Sequence, residues 1–475
     1  MVGILEGTLV KILLVQLDYS GGDVSFRLAA LPEPLALEMV AACAPGHEYR
    51  IVDVRLGDDL GKALEEFLPD LVAVTALTPE VYAACDALRQ AKTVCPGAVT
   101  VVGGYHATLV SEDFFLPFVD VVAPGECELI FPPLLRALAA GGDLAGVAGL
   151  IWRRGAEFVR NPPLNCSELD IDAVPLPRRD LVARHRHAYS FLFSRPDTSM
   201  VTSRGCPYRC NFCSVWQFYG GRTRQMSPER VLAELRIMEA EQVTFVDDNF
   251  LLNWRREKEI AERIRAEGIH MAYGMECRTD SIVRHPEVVE LWVDIGLSCT
   301  LLGLEGASDS VLQNVSKSNS LKINDEAIRI LRSHGVAIWG AFLVDPDWTE
   351  DDFKRLKDYV ADRQITHTQF TVLTPLPGTD LYEQRRSELL TTDYRCFDTM
   401  HAVLPTRLSR ERFYECFADL FRQVNIEPYY DLLQRGRITI AEMKRGKRML
   451  DAASQAEAYH LHDPILGRRT AVGRE

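Results

Sequence analysis

The chain has 475 residues, 47% of them apolar and 25% charged, and its 53 Lys and Arg against 67 Asp and Glu give a net charge of −14. A chain of this length builds two or three domains with full cores, and the composition excludes disordered and collagen-like classes. The acidic balance argues against nucleic acid as the main partner, since phosphate binding needs a basic face.

From the N-terminus, VKILLVQL (10–17) reads as a strand. Glu6 interrupts the apolar run before it, and no small-residue cleavage site follows, so a signal peptide is not expected. With no apolar run of about 18 residues anywhere, no transmembrane helix is expected either, and a cytoplasmic location is the default. PLALEMVAACA (34–44) has helical spacing, YRIVDVRL (49–56) reads as a strand, and LGKALEEFL (60–68) as a helix. DLVAVTAL (70–77) is a strand, PEVYAACDALRQAKTV (79–94) a helix, and AVTVVGG (98–104) and DVVAPGE (120–126) are strands. The helix ELIFPPLLRALAAG (128–141) follows. Short buried strands alternating with helices predict a parallel, doubly wound domain over residues 1–145. Ligands of such a sheet bind at the carboxyl ends of its strands.

Residues 146–197 lose this periodicity. GLIWRRGAEFVRN has the makings of a small hairpin, and the Pro-, Asp- and Arg-rich stretch after it reads as a linker. From 198 to 380 the alternation returns. Six strands are predicted, SMVTSRG, QVTFVDD (242–248), HMAYGMEC (270–277), CTLLGLEG (299–306), VAIWGAFLVD (336–345) and THTQFTVLTPL (366–376). Helices lie between them, with starts at Ser227-Pro228 and Thr349–Asp352 and stops at Gly268, Gly296 and Gly335. Six βα units predict a partial (β/α)6 barrel with its functional residues at the carboxyl ends of the strands. Residues 381–475 read as a mostly helical C-terminal region.

Of the twelve cysteines, nine are dispersed and read as small buried residues. The other three, Cys206, Cys210 and Cys213, follow the first barrel strand with C-x3-C-x2-C spacing. Thiolates suit zinc or an iron–sulfur cluster, and a structural zinc site wants four ligands. Three thiolates on a cubane leave one iron open to chelate a substrate's amino and carboxylate groups. Zinc completed by a distant ligand is the alternative. Gly205 and Pro207 shape a tight loop, and Phe212 is placed to shield a cluster.

This triplet, with Phe212, resembles the signature of the radical S-adenosylmethionine (SAM) enzymes. The resemblance implies a [4Fe–4S] cluster on Cys206, Cys210 and Cys213, SAM on the open iron, and a 5′-deoxyadenosyl radical that abstracts hydrogen from a substrate. It also implies SAM contacts at the strand ends. Candidates are Asp247, where many members have Gly-Gly-Glu, then Glu276 and Arg278 in MECRTD and Glu305 in LGLEGAS. Barrel-mouth salt bridges are the plainer role for each.

In the N-terminal domain, Thr75 and Thr78 end the third strand, Gly103, Gly104 and His106 the fourth, and Gly125 and Glu126 the fifth. Tight βα turns would account for the glycines. Before a radical SAM core, however, GGYHAT and GECE resemble the motifs of the cobalamin-binding domain of B12-dependent members, which implies a bound corrin. The Asp-x-His-x-x-Gly sequence of many B12 proteins is absent, which implies a cobalt without a protein His ligand. The loop from Asp18 to Phe26 is expected to border its lower face.

The combination implies methylation of an unactivated sp3 carbon, with reducing electrons from flavodoxin or ferredoxin. SRGCPYRCNFCSVWQFYG, FVDDNF, DPDW (345–348), TPLPGTDLY (374–382) and LTTDYRCFDTMHAVLPTRLSRERFY (390–414) resemble the hopanoid C-3 methylases. A flat, greasy substrate, with peripheral contact at the inner face of the membrane, is then expected. Trp216, Phe218, Tyr219, Trp339 and Trp348 are candidate contacts, with core packing as the alternative. Competing readings are a porphyrin-ring cyclase of the same two-domain kind and a B12-sensing module without catalysis.

Overall fold

The computed structural model describes residues 9–18, 30–164, 169–191, 196–365, 367–422, 433–434, 440–460 and 463–466. The chain divides into two compact units, Met1–Ser20 with Pro34–Arg186, and Gly21–Glu33 with His187–Glu475.

The first unit is built on β1 (Lys11–Gln16), β2 (Glu48–Asp53), β3 (Leu71–Thr75), β4 (Val99–Gly103) and β5 (Val121–Val122). These are parallel in the order β2-β1-β3-β4-β5, the doubly wound arrangement. Helices α1 (Leu35–Cys43), α2 (Leu60–Phe67), α3 (Val81–Val94), α4 (Tyr105–Leu109) and α5 (Cys127–Ala139) connect them. Ile12 to Val15 and Leu71 to Val74 are buried, as strands covered on both faces require. Two details differ from expectation. The fifth strand pairs over only two residues, because Pro124 and the left-handed Gly125 (φ 86°) turn the chain away. The hairpin expected in the linker does form, as β6 (Ile151–Arg154) and β7 (Glu157–Arg160), and it joins β5 antiparallel. The sheet therefore has seven strands, not five.

The second unit holds all six expected barrel strands, β8 (Thr198–Met200), β9 (Gln242–Phe245), β10 (Ala272–Cys277), β11 (Leu297–Glu305), β12 (Ala337–Val344) and β13 (His367–Val372). They are parallel and in sequence order. The helix signals behave as read. Ser227 Oγ accepts the Arg230 N–H, Thr349 and Asp352 cap each other, and Gly268 closes its helix at φ 65°. Aromatic packing separates the two faces of this curved sheet. Phe245 and Tyr273 pack on Trp292 of helix α6 (Pro286–Asp294), and Phe370 on Phe421 of helix α7 (Arg410–Phe421), on the outer side. On the concave side, Phe191 packs on Trp339 and Cys299 and lies against Gly274. Strand alternation then places Glu276, Leu301, Gly303, Ala341, Leu343 and Gln369 on that concave face.

Among its described residues, the C-terminal region combines helices with turns. Its described α-helices include Asp380–Arg385, α7 and α8 (Ile440–Ala453), while the chain from Arg386 to Ser409 forms turns and two short 3-10 stretches. Arg410 anchors this region by a bidentate pair with Asp463 and by donating to the carbonyls of Ala402 and Leu404.

Candidate functional site

The three cysteines occupy the loop that leaves β8. All three are free thiols, Cys210 buried and the other two partly so. The loop is fixed by carboxylates at the end of β9. Asp247 accepts the Thr202 N–H at 2.8 Å, the Thr202 hydroxyl at 2.8 Å, the Ser203 hydroxyl at 2.9 Å and the Ser203 N–H. Asp248 accepts the Gly205 N–H at 2.9 Å. Gly205 itself is irreplaceable on geometry: its φ is 83°, and a Cβ there would lie 2.0 Å from the Arg222 carbonyl oxygen. Arg256 closes the network from below by donating to the Thr202 carbonyl at 2.9 Å.

Burial raises the affinity of all three thiols for protons, pushing Cys213 up to about 12. Such thiols need a strongly positive centre beside them to ionise. Among the described residues no three His, Cys, Asp or Glu side chains converge as a single metal ion would require. A cubane does not ask for that convergence, because each thiolate meets a different iron. The donor set fits an iron–sulfur cluster.

The expected cofactor contacts sort into two kinds. Asp247, 1% exposed, spends both oxygens on Thr202 and Ser203, so its work in this structure is to hold the cysteine loop. Glu276, on the concave face, has no hydrogen-bond partner among the described residues. Burial, then Asp248 and Asp247, push its carboxyl up to about 7. Arg278 and Glu305 are both engaged. Arg278 stacks on Tyr208 with its guanidinium carbon 3.6 Å from the ring centre, pairs with Asp280 at 2.9 Å and donates to the Lys317 carbonyl at 2.7 Å. Glu305 pairs with Lys317. Tyr208, Asp280 and Lys317 are members of this cluster that the sequence reading did not single out. Tyr208 at least stood in plain view between two cysteines.

The crest of the first unit also divides. His106, 1% exposed, shares its ring nitrogens between Thr78 Oγ1 at 3.2 Å and Asp113 at 3.0 Å. At Gly104 (φ 95°) a Cβ would lie 2.5 Å from Thr75 Oγ1 and 2.8 Å from the Ala76 nitrogen, so the close approach there is between neighbouring turns. Gly125 differs, because nothing lies within 4 Å of its absent Cβ. Its N–H donates to Thr108 Oγ1 at 2.8 Å, and Glu126 beside it is buried. Thr75 and Gly103 are half-buried and Leu77 is 49% exposed on the same crest. An exposed leucine and an open glycine at the ends of strands of the same sheet leave room for a broad ring system, so this crest fits a corrin. Apart from Asp18, the loop expected at its lower face lies outside the described residues.

Of the aromatic candidates, Trp339 floors the concave face with Phe191, while Trp348 packs in the core on Phe353. Trp216 is half-buried and donates to the Cys210 carbonyl at 3.3 Å. Phe218 and Tyr219 pack on each other edge to face.

Residues 200–360 match the radical SAM superfamily, and residues 24–135 match the B12 binding domain. The hopanoid C-3 methylase of Methylococcus capsulatus is 36% identical over 394 residues, 80% of this chain and 74% of the relative. The anaerobic magnesium-protoporphyrin IX monomethyl ester cyclase of Cereibacter sphaeroides is 27% identical, over 84% of this chain and 68% of the relative. Among solved structures, the cobalamin-dependent SAM radical enzyme OxsB, with aqua-cobalamin and SAM bound, shares the fold. Its TM-score is 0.70 at 16% identity, covering 98% of this chain and 75% of that one.

Proposed function

The chain belongs to the B12-binding radical SAM enzymes, and from that membership we propose that it methylates an unactivated carbon of a flat, apolar lipid, C-3 of a hopanoid. As a member it is a cobalamin-dependent radical SAM methyltransferase, with a [4Fe–4S] cluster, SAM and cobalamin as cofactors. When bound, these supply a hydrogen-abstracting radical and a methyl group that polar transfer from SAM cannot deliver to such a carbon.

The chain's own residues do the holding. Cys206, Cys210 and Cys213 would ligate the cluster, with Asp247 and Asp248 keeping their loop in place. Glu276 is the carboxyl left over for the SAM ammonium or ribose, with Arg278 and Glu305 beside it. Thr75, Gly103 and Gly125 would carry the corrin, while Thr78, Gly104, His106 and Glu126 shape the turns beneath it.

The observation that carries the substrate class is the concave face. Leu301, Ala341 and Leu343 are half-buried there beside Gly303, above a floor of Phe191, Trp339 and Cys299. The small and aliphatic part of this face suits a rigid hydrocarbon, while Glu276, Gln369 and the Lys317–Glu305 pair over Gly303 give the same face a polar side. Hopanoids enter through the named relative. Among the described residues no helix is long and apolar enough to cross a membrane, so a lipid would be met by peripheral contact. Electrons would come from a flavodoxin or ferredoxin.

The test is anaerobic reconstitution with iron, sulfide and cobalamin, followed by incubation with hopanoid lipids, SAM and a reductant. A methylated lipid with 5′-deoxyadenosine and S-adenosylhomocysteine is expected. In a parallel incubation with magnesium-protoporphyrin IX monomethyl ester in place of the lipid, a cyclised porphyrin without S-adenosylhomocysteine would favour the cyclase reading, for which the Cereibacter relative is the support.

A further inference from the structure

The loop that carries the three cysteines is closed on itself. Its ends meet as an antiparallel pair, Ser203 with Gln225 and Arg204 with Arg224. Within it, Trp216 Nε1 donates to the Cys210 carbonyl, the Gly221 N–H donates to the Trp216 carbonyl at 2.6 Å, and the Arg222 carbonyl lies against Gly205. Arg209 precedes Cys210 in the chain, and Arg222 abuts the residue before Cys206. Both are therefore fixed to the body that holds the cysteines.

Arg209 and Arg222 are exposed, and neither has an acidic partner among the described residues. Many exposed arginines elsewhere are paired, as Arg329 is with Glu326 and Arg412 with Glu350. Arg209 lies over Trp216, 5.4 Å from the ring centre, and Arg224 over Tyr219 at 6.0 Å. Residues 198–228 hold four arginines and no Asp or Glu, in a chain whose net charge is −14. The carboxylates of Asp247, Asp248, Asp280 and Asp380 bond to the loop from other segments, and none of them is exposed.

Arginine set beside Trp and Tyr is the composition of protein-binding hot spots. A local positive face on an acidic protein attracts an acidic partner and turns it to one orientation. An electron passes only over short distances, so its carrier has to sit against the loop that holds the cluster. Resting on the cluster assignment to Cys206, Cys210 and Cys213, we propose that the face bearing Arg209 and Arg222 docks an acidic one-electron carrier protein. The carrier is oxidised by one electron as the cluster is reduced by one. Trp216, Phe218 and Tyr219 then belong to this face and not to the substrate space.

The experiment measures binding of oxidised flavodoxin to the reconstituted enzyme by flavin fluorescence, at low and at high salt. A second arm uses [2Fe–2S] ferredoxin and calorimetry. Wild type should bind at least one carrier, and more weakly at high salt. Arg209→Glu with Arg222→Glu should weaken binding about tenfold or more. Arg136→Glu with Arg265→Glu makes the same change in net charge at exposed arginines outside the loop and should change binding less than about twofold. Arg209→Lys with Arg222→Lys should keep binding. SAM cleavage driven by dithionite should match wild type in the loop variant, while cleavage driven by the reduced carrier falls. Should the Glu pair retain less iron than wild type, Arg209→Gln with Arg222→Gln reads the same loss without charge reversal. Absence of binding by both carriers, or equal weakening in the loop and control variants, would overturn the proposal. Carrier binding needs no cluster, so wild-type protein that binds the carrier but takes up no iron would defeat the cluster reading and leave the docking face standing.

Discussion

The backbone N–H of Gly205 donates to the carboxylate of Asp248 at 2.9 Å, so the residue before the first cysteine is held by a side chain from the next strand. With Asp247 gripping Thr202 and Ser203, two successive carboxylates fix three of the four residues from Thr202 to Gly205. Burial raises the pKa of both acids, that of Asp248 to about 6, against these hydrogen bonds.

Asp247→Ala is expected to leave two backbone N–H groups without an acceptor, at a cost of about 1–3 kcal/mol each. Iron retained after reconstitution should fall to less than half of wild type. Asp248→Ala removes a single bond and should lose less. Iron and sulfide assays on gel-filtered protein decide this, and equal retention in all three proteins would refute it.

Ala341 and Gly303 are opposed in register on the concave face. Ala341→Phe should fill the space for a rigid substrate and lower kcat/KM for the lipid by about tenfold or more, on the scale of a few kcal/mol for an overfilled apolar site. SAM cleavage in the absence of lipid should stay near wild type. Loss of both activities together would place Ala341 elsewhere than in the substrate space.

Asp197 is 2% exposed and accepts the Thr244 hydroxyl at 2.7 Å. Burial raises its pKa from 3.8 to about 7, opposed by hydrogen bonds from Thr244 and Gln242 and reinforced by Glu33. The folded chain thus keeps a proton that the unfolded chain has already lost, so stability falls as pH rises from about 4 to about 7. Asp197→Asn should remove that loss and gain on the order of 2–4 kcal/mol at pH 8, with little change near pH 4. Denaturant unfolding at the two pH values reads the difference; an equal effect at both would exclude the ionisation argument.

Arg410 and Asp463 form a buried pair, with side chains 8% and 0% exposed, and the Tyr414 hydroxyl also donates to Asp463. Asp463→Ala should cost about 3–5 kcal/mol, because it strands the guanidinium. Tyr414→Phe should cost about 1 kcal/mol. Denaturant midpoints for the two variants should fall in that order.

The strands of both units were legible as short apolar runs alternating with stretches of helical spacing, and the cysteine spacing announced its chemistry outright. What escaped were relationships with no local trace. A hairpin can be read from GLIWRRGAEFVRN, but its docking on a two-residue strand cannot. Asp247 was visible as a polar residue at a strand end, yet its partners Thr202 and Ser203 lie 45 and 44 positions away. Left-handed serines at 316 and 318 leave no mark in residue type, unlike the glycines at 205 and 268, so Lys317 passed unnoticed.

Oxygen side chains of the neighbouring strand, rather than sulfur, hold the cysteine loop, and this separates folding from metallation. A zinc finger collapses only when its ion arrives. Here the anchoring bonds of the cysteine loop run to Asp247 and Asp248 and use no cysteine sulfur, so oxidative destruction of the inorganic core should leave those bonds in place and a scaffold that can be reloaded.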